Sequence, residues 1–283
     1  MRILVIGGTG TTGSQVATAL GKRGVEVTVM TRDPTKRVPG ATMVVGDLCD
    51  PRGAEPLFRG MDAVFMLIAA GTAETYEGVL GVTLAQRANV RRFVYMSSHK
   101  IDLTESLLFG GATKLPIENA LKLSGIPFTI IRPNSFYQND AWYKTSLLEH
   151  GVYPQPIGQK GMSRVDVRDI AEVAAIALTT KGHEGRIYNI VGPEIQTGPT
   201  IAKSWSEALG RPIAYGGDDL DVFERTHAFM GASLVFPYRL YFEWYQANGL
   251  HATAEDLETM SRLLSRPPRS HAAFAREMAD EWK

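Results

Sequence analysis

The stretch from Met1 to Arg32 constrains the fold of this chain more than any other. Ile3 to Ile6 is a short apolar run, and Gly7-Gly8-Thr9-Gly10-Thr11-Thr12-Gly13 follows it directly. A helical period through Val16 and Leu20 comes next, then a break at Gly24 and a second apolar run through Val27, Val29 and Met30. The order is strand, glycine turn, helix, strand, which is the opening unit of a dinucleotide-binding sheet. Glycine serves a physical purpose there. A backbone without Cβ turns sharply out of a strand, lets a diphosphate approach, and packs the next helix closely on the sheet. The first turn of that helix offers N–H groups and the positive end of its dipole to phosphate oxygens. Gly7, Gly10, Thr11, Thr12 and Gly13 are the candidate contacts. The alternative is a glycine turn that holds no ligand; the strand before it and the helix after it weigh against that.

The same rhythm continues downstream. Thr42 to Val45 reads as a strand ending in Gly46-Asp47-Leu48, Arg52 to Gly60 as a short helix, and Ala63 to Ile68 as a near-continuous apolar strand. Thr72 to Asn89 is helical, and Phe93 to Met96 leads into Ser97-Ser98. A further helix reaches about Ser124 and is stopped by Gly125 and Pro127; Phe128 to Ile131 then runs into Arg132-Pro133-Asn134. Strands alternating with helices predict an α/β fold, a doubly wound parallel sheet of the Rossmann type. Uninterrupted apolar runs suit strands covered on both faces.

Beyond Asn139 the spacing loosens. A strand is expected at Ser163 to Val165, with Asp166 or Asp169 near the start of a helix from Ile170 to Leu178, and another strand at Ile187 to Val191. Helices then dominate: Ile201 to Leu209, Asp219 to Met230, Val235 to Asn248, Ala254 to Leu264 and Ser270 to Trp282. The expected division is a dinucleotide-binding domain over 1–150, completed by parts of 160–192, and a smaller, mainly helical substrate or cap region over 193–283. Phe223, Phe229, Phe236, Tyr241, Phe242 and Trp244 concentrate aromatic surface in that region. Most are expected to fill a core, with some lining a cleft.

Charge narrows the partners. The 30 basic and 30 acidic residues cancel, which leaves no electrostatic footprint for nucleic acid or an anionic membrane. No apolar run approaches the roughly 20 residues that span a bilayer, and the N-terminus lacks the pattern of a signal peptide. A single cysteine, Cys49, excludes an internal disulfide and a cysteine-based metal site, and the six histidines show no ligand spacing. Cys49 reads as a buried or partly buried thiol. The expectation is a soluble, cytoplasmic protein that acts on a small molecule without a metal; a homo-oligomer is neither required nor excluded.

Cofactor choice is read at the end of the second strand. An NAD-specific site usually places an acid there for the ribose hydroxyls, whereas this strand ends Met30-Thr31-Arg32. A guanidinium matches a 2′-phosphate and Thr31 adds a hydroxyl, so NADP(H) is preferred over NAD(H). Arg32 as an ordinary surface arginine is the alternative, and Asp33 either competes or caps the turn that Pro34 begins. Asp47, beside Leu48, either accepts from the adenine amino group or caps a turn. Ile68 and Ala69 are small and apolar, as suits backbone lying along a cofactor.

The glycine turn, Thr31-Arg32-Asp33-Pro34, Gly46-Asp47-Leu48, Phe93 to Ser98, Lys114-Leu115-Pro116-Ile117-Glu118 and Gly125 to Pro133 occur together. In this combination the chain resembles the short-chain dehydrogenase/reductase superfamily, and more narrowly its atypical NmrA-like branch. The resemblance continues more weakly through Asp166 to Ala171 and Phe274 to Trp282. It implies an NADPH-binding Rossmann domain with a small C-terminal substrate domain. Members reduce quinones, dyes, or conjugated and imine-like bonds, and others bind the dinucleotide as redox sensors. The superfamily's serine and lysine match Ser98 and Lys114, but Gly110 stands where its tyrosine is expected. Without that phenol the usual proton donor to an alkoxide is missing.

Lys114 is therefore a candidate for the nicotinamide ribose and for charge developing on a substrate oxygen. The alternative is a surface lysine paired with Glu118. Ser97 and Ser98 are candidate contacts at the same end of the sheet, and Pro133 and Phe136 candidate walls of the nicotinamide pocket. Tyr137 is the candidate replacement acid, against an equal claim as packing. Pro116 either sits in a first turn or kinks the helix. The leading expectation is an NADPH-dependent reductase of a small conjugated acceptor such as a quinone, enone or imine. A non-catalytic NADP(H) sensor is the second, and a nucleotide-sugar epimerase, disfavoured by Gly110, the third.

Overall fold

In the computed structural model, which describes residues 1–104 and 110–283, the apolar runs of the first half become neighbouring strands. In chain order the elements are β1 (Arg2–Ile6), α1 (Thr11–Gly21), β2 (Glu26–Thr31), β3 (Thr42–Val45), α2 (Pro51–Phe58), β4 (Ala63–Met66) and α3 (Glu74–Arg87). Then come β5 (Arg92–Met96), α4 (Gly111–Leu123), β6 (Phe128–Pro133), a two-residue strand β7 (Val152–Tyr153), α5 (Val167–Thr179) and β8 (Arg186–Ile190). Seven of these strands form one sheet in the order β3-β2-β1-β4-β5-β6-β8. Pairing is parallel, with Ile6 opposite Met30 on one side and Met66 on the other. Hydrogen bonds from Gly185 to Phe128 and from Asn134 to Ile190 carry the same sense to β8.

Parallel strands need crossovers, and the helices of those crossovers cover the sheet. α1 packs with α5, and α3 with α4. Ala63, Val64, Phe65 and Met66 of β4 are all fully buried, which is why that run reads as apolar throughout. Leu4, Ile6, Met66, Phe93 and Ile130 meet Ile117 and Leu121 of α4 in the core. From β1 the chain builds outward to β2 and β3, then returns to lay β4 on the other side of β1. Beyond the carboxyl ends of the strands at such a reversal, open α/β sheets take their ligands.

The chain forms two compact units, one of Met1–Pro133 with Val167–Asn189 and one of Asn134–Asp166 with Ile190–Lys283. The second contains β7, paired in parallel with β9 (Ala214–Tyr215). Its helices are α6 (Gly198–Leu209), α7 (Leu220–His227), α8 (Ala232–Asn248), α9 (Ala254–Leu264) and α10 (His271–Glu281). Thr197 with Thr200 and Thr253 with Asp256 form capping boxes that start α6 and α9. Trp205 is fully buried and stacks on Trp282, their ring centroids 4.9 Å apart. Phe223, Tyr241 and Phe242 fill the core as expected, whereas Phe229 and Phe236 are exposed.

The expected strand at Ser163–Val165 does not form. The segment makes isolated bridges instead, Val165 to Phe136 and Met162 to both Gln196 and Leu250. Pairing split among three separate segments cannot build a ladder. The helix expected over Asp219–Met230 ends at His227, and Ala228–Met230 tightens into a 3₁₀ turn before Gly231, whose φ is +83°. Among the described residues no helix is long and apolar enough to cross a membrane.

One polar group anchors the second unit from within. The carboxylate of Asp140 accepts from Arg164 Nη2 at 2.6 Å and from Trp205 Nε1 at 3.0 Å. Tyr153 Oη donates to it at 3.2 Å, and His271 Nε2 lies 2.8 Å away. Asp140, Arg164, Tyr153, Trp205 and His271 are all fully buried. Burial alone would raise the pKa of Asp140, but the Arg164 charge and the His271 hydrogen bond hold it down at about 2.

Candidate functional site

The glycine turn at the end of β1 separates into positions that pack and one that stays open. Gly7 has φ +77°, and a Cβ there would lie 2.3 Å from the Leu67 carbonyl oxygen. A Cβ on Gly13 would lie 2.1 Å from the Gly7 carbonyl oxygen. These two glycines close the turn and press α1 against the strand. Gly10 differs. It is the N-cap of α1 with φ −84° and ψ 173°, a conformation any residue adopts. A Cβ there would meet only the Gly7 carbonyl oxygen, at 3.6 Å. No side chain caps α1, and its first turn carries no acid. A helix start with bare N–H groups beside a glycine that opens onto free space fits a diphosphate. Thr11 is exposed there and Thr12 buried.

At the end of β2 the Thr31 side chain is turned inward, its hydroxyl accepting from Asp33 N at 3.1 Å. Arg32 is exposed and lines a groove of about 260 Å³ together with Val45, Gly46, Asp47, Asp50 and Gly53. Asp33 caps its own turn. Its carboxylate accepts from the Thr35 hydroxyl at 2.6 Å and from Thr35 N at 2.8 Å, bonds that lower its pKa. Asp47 also caps a turn, accepting from Cys49 N at 2.8 Å while still lining the groove, and Leu48 packs into the core.

That turn corrects the reading of Cys49, which is exposed rather than buried. The bend capped by Asp47 sends Leu48 inward and Cys49 outward. The Cys49 thiol donates to Glu77 Oε1 at 3.3 Å, and this hydrogen bond, with partial desolvation and the nearby carboxylates, pushes its pKa up. It is a poor nucleophile in this setting.

The carboxyl ends of β4, β5 and β6 hold the other candidates of the first unit. Ile68 is buried and Ala69 exposed just past β4. Ser97 is buried, with its N–H on the Ile131 carbonyl, and Ser98 is half-buried. Pro133 is buried, and its carbonyl accepts from His99 N at 3.0 Å. Lys114 lies in the opening turns of α4, whose N-cap is Gly110, and only 9% of it is exposed. Pro116 lies inside that helix rather than in its first turn.

The partner of Lys114 is not Glu118. Its ammonium bonds to Oε1 of Glu74, a carboxylate fully buried at the start of α3. Helical side chains lean toward the N-terminus, so Lys122 reaches back to Glu118 at 3.2 Å while Lys114 leans away from it. Glu118 instead accepts a two-pronged contact from Arg132, 2.9 Å to Nε and 2.8 Å to Nη2. Burial opposes its ionisation, but Arg132 more than offsets that and holds its pKa low. Glu74 Oε2 has no hydrogen-bond partner among the described residues.

Phe136 and Tyr137 belong to the second unit. The Phe136 carbonyl accepts from Arg164 Nη2 at 2.6 Å. Tyr137 is fully buried, with its hydroxyl donating to the Arg269 carbonyl at 3.2 Å and its ring against His271 and Phe274. Reasoning from sequence missed Glu74, Glu77 and the Glu118–Arg132 pair. Glu74 and Glu77 carried no signal beyond two acids at the start of a helix, where acids are ordinary. For Arg132, a charge directly after the buried strand residues Thr129, Ile130 and Ile131 was a usable clue to a buried partner.

Comparison with known proteins adds to this geometry. The model of the NmrA-like family matches residues 1–261. The chain is 31% identical over 281 residues to an NAD(P)H azoreductase of Xenophilus azovorans, a match covering 98% of each protein. Identity and coverage are the same for a (4-alkanoyl-5-oxo-2,5-dihydrofuran-3-yl)methyl phosphate reductase of Streptomyces griseus. Among solved structures, the NADPH-dependent quinone oxidoreductase of Escherichia coli complexed with NADPH has the same fold. Its TM-score is 0.85 at 22% identity, over 98% of this chain and 99% of that one. With a glycine-turn Rossmann sheet and a match that runs from residue 1 to residue 261, the chain belongs to the NmrA-like family.

Proposed function

We propose that this chain is an NAD(P)H-dependent oxidoreductase, with NADPH the preferred donor, that reduces a small conjugated acceptor such as a quinone, enone or imine. The observation that carries the reading is the open cradle at Gly10 beside the uncapped start of α1. The two full-length relatives, both named as reductases, support it. In this reading Gly7, Gly10 and Gly13 shape the turn, and the first N–H groups of α1 hold the diphosphate. Arg32 takes the 2′-phosphate from its place in the groove. Ile68, Ala69, Ser97, Ser98 and Pro133 line the way to the nicotinamide. NADPH supplies the hydride, and the protein orients and polarises.

Lys114 is the polarising group. Glu74 takes one of its three ammonium donors, which leaves two for a ribose hydroxyl and for an acceptor oxygen. Gly110, four residues earlier, stands in place of the tyrosine whose phenol would protonate an alkoxide. Tyr137 has already committed its proton to the Arg269 carbonyl. Acceptors whose product anion is delocalised, or which bring their own positive charge, depend least on such a donor.

Three expected results test this. NADPH oxidation followed by absorbance should proceed with a quinone or iminium acceptor and much more slowly with simple ketones. Lys114→Ala should lower turnover about 100-fold; rapid ketone reduction that survives this substitution would overturn the reading. Arg32→Asp should weaken NADPH binding about 10- to 100-fold, the worth of a charged hydrogen bond, and leave NADH binding in place. Unchanged NADPH affinity would remove Arg32 from the site. Tight binding with no turnover over a broad acceptor panel would favour a redox sensor instead.

A further inference from the structure

The groove beside β2 holds more negative than positive charge. Among the described residues that line it, Arg32 is the basic one, and Asp47 and Asp50 are acids. A third carboxylate stands next to Arg32. Glu77, in the first turns of α3, places Oε1 3.6 Å from Arg32 Nη1. The Glu77 side chain is only 14% exposed, whereas that of Arg32 is 66% exposed. Glu77 is also tied down from the other side, since the same oxygen accepts the Cys49 thiol at 3.3 Å. The ligand atoms of Asp47, Cys49 and Glu77 all lie within 4.8 Å of one another.

The geometry is that of a fixed anion and a movable cation. At 3.6 Å the guanidinium is beyond a good hydrogen bond, so Glu77 attracts Arg32 without locking it. The Cys49 thiol, acting as a donor, keeps the carboxylate in place. Anything that draws Arg32 toward itself must compete with Glu77, and an incoming dianion must also tolerate the charge of Glu77 and Asp47 nearby. An uncharged hydroxyl at the same point meets neither difficulty.

We infer that Glu77 is a specificity-determining residue that narrows the margin between NADPH and NADH. It competes with the 2′-phosphate for Arg32 and repels that phosphate directly, so the chain favours NADPH less strongly than Arg32 alone would make it. The inference rests on the dinucleotide site proposed above and names a residue of that site outside the glycine turn and the β2 end.

The test is a binding titration, followed by nicotinamide fluorescence or calorimetry, of NADPH and NADH on the wild-type chain, Glu77→Gln, Glu77→Ala and Arg32→Ala. Glu77→Gln keeps an oxygen for the Cys49 thiol and removes the charge. It should tighten NADPH about fivefold, as expected of a partly exposed ion pair, and leave NADH within about twofold. Glu77→Ala should move the ratio the same way, which guards against an effect peculiar to the amide. The gain should shrink as salt is raised, because the charges are near the surface. An unchanged NADPH-to-NADH ratio, or weaker NADPH binding because Glu77 had been holding Arg32 in its binding pose, would overturn the inference. The two levels of failure separate cleanly. A wild-type chain that binds neither dinucleotide sinks the site itself. A loss of NADPH preference in Arg32→Ala with no shift in either Glu77 variant leaves the site standing and removes Glu77 alone.

Discussion

Asp140→Asn is expected to lower the unfolding free energy by about 3–5 kcal/mol, the cost of stranding one member of a buried ion pair. That is a large part of the roughly 5–15 kcal/mol that holds a typical protein together. The carboxylate meets Arg164, Trp205, Tyr153 and His271, all of them fully buried. An asparagine offers one acceptor oxygen where the carboxylate offers two and leaves the Arg164 guanidinium without a counter-charge. Urea unfolding curves would show a lower midpoint at similar slope; a loss under about 1 kcal/mol would mean the cluster contributes no more than an ordinary hydrogen bond.

The same carboxylate sets an acid limit. Its pKa in the folded chain is about 2, below the ordinary 3.8. A depressed folded pKa means the unfolded chain binds the proton more readily, so acid favours unfolding. The stabilisation is complete above pH 3.8 and drains away as pH falls from there through about 2. Stability measured over that window should fall in the wild type, and the part belonging to Asp140 should be absent from the curve of Asp140→Asn.

Gly10→Ala and Gly13→Ala, three residues apart, are expected to fail in opposite ways. A methyl group on Gly13 would press on the Gly7 carbonyl at 2.1 Å, so the turn or the helix must shift. The expected cost is about 1–3 kcal/mol of stability, as for an overpacked core. A methyl group on Gly10 meets nothing closer than 3.6 Å and needs no unusual backbone angle. Stability should change by less than about 1 kcal/mol, the range of an N-cap substitution. The methyl would instead occupy the cradle, and dinucleotide affinity should fall at least about tenfold, or ~1.4 kcal/mol. Thermal melts paired with binding titrations separate the two effects. A Gly10→Ala variant that binds as the wild type does would show that nothing needs that space.

The centre of the sheet was legible because β1, β4 and β5 are buried almost throughout and read as near-continuous apolar runs; β4 is the clearest case. β3 at the edge was legible too, although only half-covered, because Gly46-Asp47 punctuates its end. The glycine turn was legible because close approach leaves no substitute for glycine at Gly7 and Gly13. The polar chemistry was much less so. Asp140, Arg164 and His271 lie far apart in the chain, and no local period links a charge to a partner that distant. Lys114 invited a partner four residues away, and the actual one, Glu74, came from the preceding crossover helix. Charges find partners by topology, and topology is written in the apolar pattern rather than near the charges themselves.

The interleaving of the two units has a consequence for how the chain is made. The first unit takes Met1–Pro133 and then waits for Val167–Asn189, which supply α5 against α1 and β8 at the sheet's far edge. At synthesis rates of roughly 5–20 residues per second, the six-stranded part emerges seconds before its last strand. In that interval the β6 edge is open and the α1 face uncovered, as the nascent chain already threads through residues destined for the other unit. No single cut therefore yields either unit whole. A chain paused once Pro133 has left the exit tunnel presents an unfinished sheet edge to whatever holdase or neighbouring chain lies nearby, and the hazard ends only when residue 190 has cleared the tunnel too.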